Sequence, residues 1–95
     1  MIRWTITYPK TEGATFDHDY YRDKHIPAFA AALNRSDIEI TRGIDGPEEA
    51  TASVTFESVE AMRAVLASTN LKPLLDDLPN YSTITPKMQT SEIVS

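Results

Sequence analysis

An imidazole, a phenol and a carboxylate at helical spacing are the side chains best placed in this chain to move a proton. Tyr21 follows Asp17 by four residues and His25 follows Tyr21 by four, so a helix through this stretch sets all three in a row. Imidazole gives or takes a proton near neutral pH, which makes His25 the candidate general acid or base. Tyr21 would position or polarise a substrate, and Asp17 would complete a relay. Each residue also has a plain structural role: a buried histidine bonded to backbone, a core tyrosine with its hydroxyl at the rim, and an aspartate that caps a helix.

Trp4, Tyr8, Phe29, Phe56 and Met88 offer the lining of an apolar pocket for a small organic ligand, and equally the packing of an ordinary core. Asp77, Asn80 and Tyr81 precede the last predicted strand, where they either close one end of such a pocket or cap and turn the chain. Arg42 could bind an anion or join a surface ion pair. Other chemistries find little support. The chain has no cysteine, hence no thiolate nucleophile and no disulfide. His18 and His25 stand seven residues apart, roughly 10 Å along a helix, so they cannot share one metal ion. Three glycines include neither a G-x-G-x-x-G nor a P-loop pattern.

The elements that must hold these residues can be read from hydrophobic period. Ile2, Trp4, Ile6 and Tyr8 alternate with Arg3, Thr5 and Thr7, the period of a half-buried strand. A helix is expected over about 17–34, capped by Asp17, with Tyr21, His25, Ala28, Phe29, Ala32 and Leu33 on its sheet-facing stripe. Pro27 lies within it, where a missing N–H and a clash with the preceding turn predict a kink or break beside His25. Ile38, Ile40 and Ile44, then Asp45-Gly46-Pro47, then Ala52, Val54 and Phe56 describe a hairpin. Ser58 should cap a second helix to about Ser68, and Leu71, Leu74, Leu75 and Leu78 suggest a further helical turn. Ile84, Pro86 and Met88 mark a last strand at an edge or bulge. The order β-α-β-β-α-β is the split pattern of an α+β ferredoxin-like fold, a single domain over residues 1–95.

A domain of 95 residues buries only roughly 60–65% of its unfolded surface, a shortage that a partner subunit relieves. With 9 basic against 14 acidic residues and a net charge of −5, the chain repels nucleic acid on average. The opening MIRWTITYPK lacks the apolar stretch of a signal peptide or membrane span, so a cytoplasmic protein without membrane association is expected.

Residues 16–27, Phe-Asp-His-Asp-Tyr-Tyr-Arg-Asp-Lys-His-Ile-Pro, resemble the EthD signature of an aromatic, an Asp, paired Tyr and His-x-Pro. Tyr8-Pro9, the Val54-Thr55-Phe56 strand with Ser58, and Asp76-Asp77-Leu78-Pro79-Asn80-Tyr81 leading to Pro86 extend the resemblance over nearly the whole chain. It implies a dimeric α+β barrel: a homodimer of two four-stranded sheets with helices outside, and in each subunit a pocket between sheet and helices. It also implies chemistry without a metal or bound cofactor, of the oxidoreductase or reductase kind, on a small apolar compound. The alternative it leaves open is a non-catalytic accessory protein beside a P450-type ether-degrading system. Some barrels of the wider group hold haem through a helix histidine, but nothing in this chain resembles their remaining haem-site residues.

Overall fold

The computed structural model describes residues 1–94. The strand β1 (Ile2–Pro9) runs through the middle of a four-stranded sheet of order β2-β3-β1-β4, with β2 at Glu39–Arg42, β3 at Glu48–Phe56 and β4 at Lys87–Glu92. Every neighbouring pair is antiparallel. Register decides which side chains share a face: Ile6 lies opposite Ala52 and Met88, Trp4 opposite Val54 and Thr90, and Tyr8 opposite Ala50. Because strand side chains alternate, this face carries the apolar set and receives the helices. The other face carries Arg3, Thr5, Thr7, Thr41, Thr51, Ser53, Thr55, Lys87 and Gln89, with Thr41 and Thr51 hydrogen-bonded across the β2–β3 pair.

The first helical stretch has the expected limits but not the expected regularity. Asp17 caps it, its carboxylate accepting the Tyr20 N–H at 3.0 Å. Asn34 closes it in the left-handed conformation. Between them lie α1 (His18–Tyr20), a π-helical turn over Tyr21–His25 and α2 (Ile26–Leu33). The break expected beside His25 is therefore a widened turn, in which the Ile26 N–H reaches back five residues to the Tyr21 carbonyl. Pro27, with no N–H to donate, sits in the first turn of α2, where none is required. The buried stripe is Tyr21, His25, Phe29 and Leu33, with Ile26 and Ala30 at its margin. Ala28 and Ala32 are exposed, contrary to expectation, because a stripe that repeats every four residues drifts away from them.

Ser58 caps α3 (Val59–Ser68), accepting the Ala61 N–H at 3.1 Å, and Met62 is its buried residue. The leucine-rich segment forms α4 (Lys72–Asp77) and a 3₁₀ turn over Leu78–Asn80. Two further expectations need correction. Ile44 is not an inward strand residue: β2 ends at Arg42 and Ile44 is 97% exposed in the hairpin loop. The last strand starts at Lys87 rather than Ile84, since Pro86 cannot donate to a ladder. Ile84 is buried all the same, in the segment that precedes the strand.

The β2–β3 loop is held by Gly43. A Cβ there would fall 1.9 Å from the Glu48 carbonyl oxygen, so the chain crosses itself too closely for any side chain. Under the sheet the core divides in two. Trp4, Phe29, Leu33, Val54, Phe56, Met62 and Leu74 form one half, and Tyr8, Tyr21, Ala50, Ala52, Tyr81 and Ile84 the other.

Candidate functional site

The two halves of the core do not close completely, and the gap between them is the candidate site. Its floor is the sheet, where Ala52 is too small to fill the space beside Trp4, Ile6 and Tyr8. One wall is Tyr21, His25, Ile26 and Phe29 from the π-turn and α2; the other is Leu71, Leu74, Leu75 and Leu78 from α4 and its flanks. Tyr81, Pro86 and Met88 complete it. The cavity measures about 50 Å³. That is less than the roughly 150 Å³ in which an engineered apolar cavity holds benzene. Leu75 and Met88 line this cavity while remaining more than half exposed, so they stand at its mouth.

His25 is buried, and both ring nitrogens are engaged. Nδ1 lies 2.9 Å from Asp77 Oδ2, and Nε2 lies 3.4 Å from the Tyr81 hydroxyl. Tyr21 stacks on the imidazole at 5.5 Å with planes 14° apart. Asp77 in turn accepts hydrogen bonds at Oδ1 from the Tyr20 hydroxyl, at 2.7 Å, and the Asn80 amide, at 2.9 Å. Burial works against its charge, yet the donors Asn80, Tyr20 and His25 together outweigh that, and the carboxyl stays below its ordinary range. An ionised Asp77 can only accept, so Nδ1 carries a proton toward it, and Nε2 lies on the Tyr81 side of the ring.

On the far side of Tyr81 stands Tyr8, the two hydroxyl oxygens 2.8 Å apart. The Tyr81 hydroxyl thus stands between the Tyr8 hydroxyl and Nε2, giving a row from Tyr8 through Tyr81 and His25 to Asp77. Burial raises all three phenols, Tyr8, Tyr21 and Tyr81, above the ordinary tyrosine value. They are neutral donors at any physiological pH. The arrangement can accept a proton at Nε2, supply one from a phenol and hold an oxygen atom between them.

Linkage gives this cluster a testable signature. A carboxyl whose folded value is depressed contributes stability above its unfolded value, and that contribution is lost as pH falls through the folded one. Wild-type stability should therefore decline on acidification below about pH 4, and Asp77→Asn should flatten that part of the profile. Urea midpoints between about pH 2.5 and 6 check it; parallel curves for the two proteins would count against the clamp on Asp77.

Of the residues expected at the site, His25, Tyr21, Trp4, Tyr8, Phe29, Tyr81 and Met88 meet around the cavity. Asp77 and Asn80 lie behind the imidazole rather than at the end of the pocket. Phe56 does not reach the cavity; it belongs to the core, with the Arg35 guanidinium 5.0 Å above its ring. Asp17 does not extend the row to Tyr21 and His25, because its carboxylate is turned to the helix N-terminus and its own N–H donates to the Tyr81 carbonyl at 2.7 Å. Sequence reading missed the α4 leucines as a wall, and missed Tyr20 as a partner of Asp77. The leucine spacing was visible; which side of α4 would meet a cavity was not. Among the described residues no group of three potential ligands is placed to hold a metal, and no helix is long and apolar enough to cross a membrane.

No family model matches the chain, and no curated protein does. Solved structures do. An EthD-like protein from Ralstonia eutropha JMP134 is 33% identical with a TM-score of 0.82, the alignment covering 99% of this chain and 92% of that one. An ethyl tert-butyl ether D (EthD) family protein from Bacillus halodurans C-125 is 15% identical with a TM-score of 0.68, covering 99% of each chain, a likeness of fold.

Proposed function

The chain belongs to the EthD family, and from the geometry of its cavity we propose that it is a small cofactor-independent enzyme acting on a largely apolar organic molecule, with His25 as general acid or base. The observation that carries this is the posture of one ring that lines the cavity: Nδ1 is tied to Asp77 and Nε2 lies 3.4 Å from the Tyr81 hydroxyl, which lines it too. A carboxylate that fixes the tautomer and stabilises the imidazolium is what proton abstraction by histidine requires. Tyr21 supports the ring by stacking. The oxidoreductase-type chemistry implied by the family resemblance is compatible with the same first step, since removing a proton makes a carbon centre electron-rich.

The working unit is a homodimer. The sheet face opposite the helices is open, yet Thr5, Thr7, Thr51, Ser53 and Thr55 on it are already half-buried, a shallow polar surface that a second copy can cover.

A second reading is a non-catalytic ligand-binding or accessory protein that supports a separate oxidative enzyme. It is favoured by one observation: among the described residues no buried side-chain polar atom lacks a hydrogen-bond partner, so the cluster is satisfied as it stands. The pH dependence separates the two. Acid–base turnover should fall across the range in which imidazole titrates, whereas passive binding of a neutral ligand should hardly change. Rate and Kd measured from about pH 5 to 9 decide it; a rate indifferent to pH would remove His25 from the chemistry.

A further inference from the structure

Resting on the acid–base reading of His25, the geometry points to a more specific substrate and a second catalytic residue: we infer that the cavity takes an uncharged ketone or aldehyde, whose oxygen is received by the Tyr81 hydroxyl. The polar lining is confined to one end, where Tyr8, Tyr81 and His25 meet. The rest, Trp4, Phe29, Leu71, Leu74 and Leu78 among it, is hydrocarbon or aromatic. A ligand that satisfies both ends has an apolar body and one oxygen.

Charge selects among such oxygens. No Lys or Arg lines the cavity, and Asp77 holds a negative charge on the other side of the imidazole. A carboxylate or phosphate would lose its hydration there without gaining a cation. A carbonyl oxygen loses little and gains a phenolic donor, itself backed by the Tyr8 hydroxyl 2.8 Å away.

The reaction that follows balances without a co-reactant. Nε2 takes a proton from the carbon next to the carbonyl, and the C–H pair becomes a C=C bond. The C=O π pair moves onto oxygen, which receives the Tyr81 proton. The imidazolium Nε2–H then returns a proton to the Tyr81 oxygen, 3.4 Å away in the free protein. The net change is a proton moved from carbon to oxygen, ketone to enol. Both catalytic groups end as they began.

Acetone and acetate are near-isosteric probes, small enough for a cavity of about 50 Å³, that differ in charge and serve as the test. Calorimetric titration at about pH 8 should show acetone binding at least roughly tenfold more tightly than acetate. In deuterium oxide the wild-type protein should catalyse exchange of the acetone methyl protons, followed by NMR. Tyr81→Phe should slow that exchange by roughly 10²-fold, as loss of a preorganised donor does. Tyr8→Phe, which leaves Tyr81 in place, should slow it less. Acetate binding as tightly as acetone, or no acetone binding, overturns the substrate class. Exchange lost in His25→Ala but unchanged in Tyr81→Phe leaves the histidine reading intact and overturns the role of Tyr81.

Discussion

Replacing His25 by Ala should lower turnover by roughly 10²- to 10⁴-fold, the range lost when a positioned general acid or base is removed. The protein should still fold and sediment as the wild-type protein does. The expected effect is large because nothing else in the cavity can take the proton. Tyr8, Tyr21 and Tyr81 are raised by burial and remain protonated, so none offers a phenolate base. Asp77 is turned to the far side of the ring and engaged by Tyr20 and Asn80. Folding should survive for a related reason: Asp77 keeps two of its three donors when the imidazole is gone. His25→Gln, which can still donate to Asp77 but cannot carry a proton, should be as inactive as the alanine variant. Activity retained in both would show that the ring only fills space.

The largest loss of stability is expected at Trp4. Its ring is 5% exposed, stacks against Phe29 with centroids 6.0 Å apart and lies beside Val54 in the same half of the core. Trp4→Ala should cost about 3–5 kcal/mol, the usual range for deleting a buried aromatic ring from a core that relaxes only in part. In a chain of 95 residues that is a large share of the total, so the variant should be partly unfolded at ambient temperature. Urea denaturation followed by circular dichroism checks this. Since Trp4 also lines the cavity, Trp4→Phe is the informative companion. It should fold well and enlarge the space available to a ligand. A cost near zero for Trp4→Ala would mean that the ring is not packed as described.

Much of this architecture was legible in the residues because binary patterning and caps agree with one another. Strand β1 alternates cleanly, Asp17 and Ser58 are competent N-caps, and both cap the helices they precede. Where reading failed, a tertiary contact had overridden the local signal. Ile44 looks like the next inward residue of its strand, but the close approach at Gly43 ends the ladder first. Phe56 and Trp4 are alike in sequence, as aromatic residues on inward strand positions. Only the three-dimensional register puts one beside small Ala52 and a void, and the other beneath Arg35. The partnership of His25 with Asp77 spans 52 residues and has no periodicity to announce it.

The π-turn over Tyr21–His25 carries one residue more than an α-helical turn would hold. Shortening the segment by a single position, for instance by deleting Lys24, would let it relax to ordinary winding. The stretches on either side would keep nearly their present phase, because a widened turn spends its extra residue within itself. Tyr21 and His25, four apart in the chain and stacked across that turn, would come to stand three apart and could not keep the stacking. The surplus residue thus works as a local spacer: it opens the rod where phenol meets imidazole and leaves the winding before and after it undisturbed.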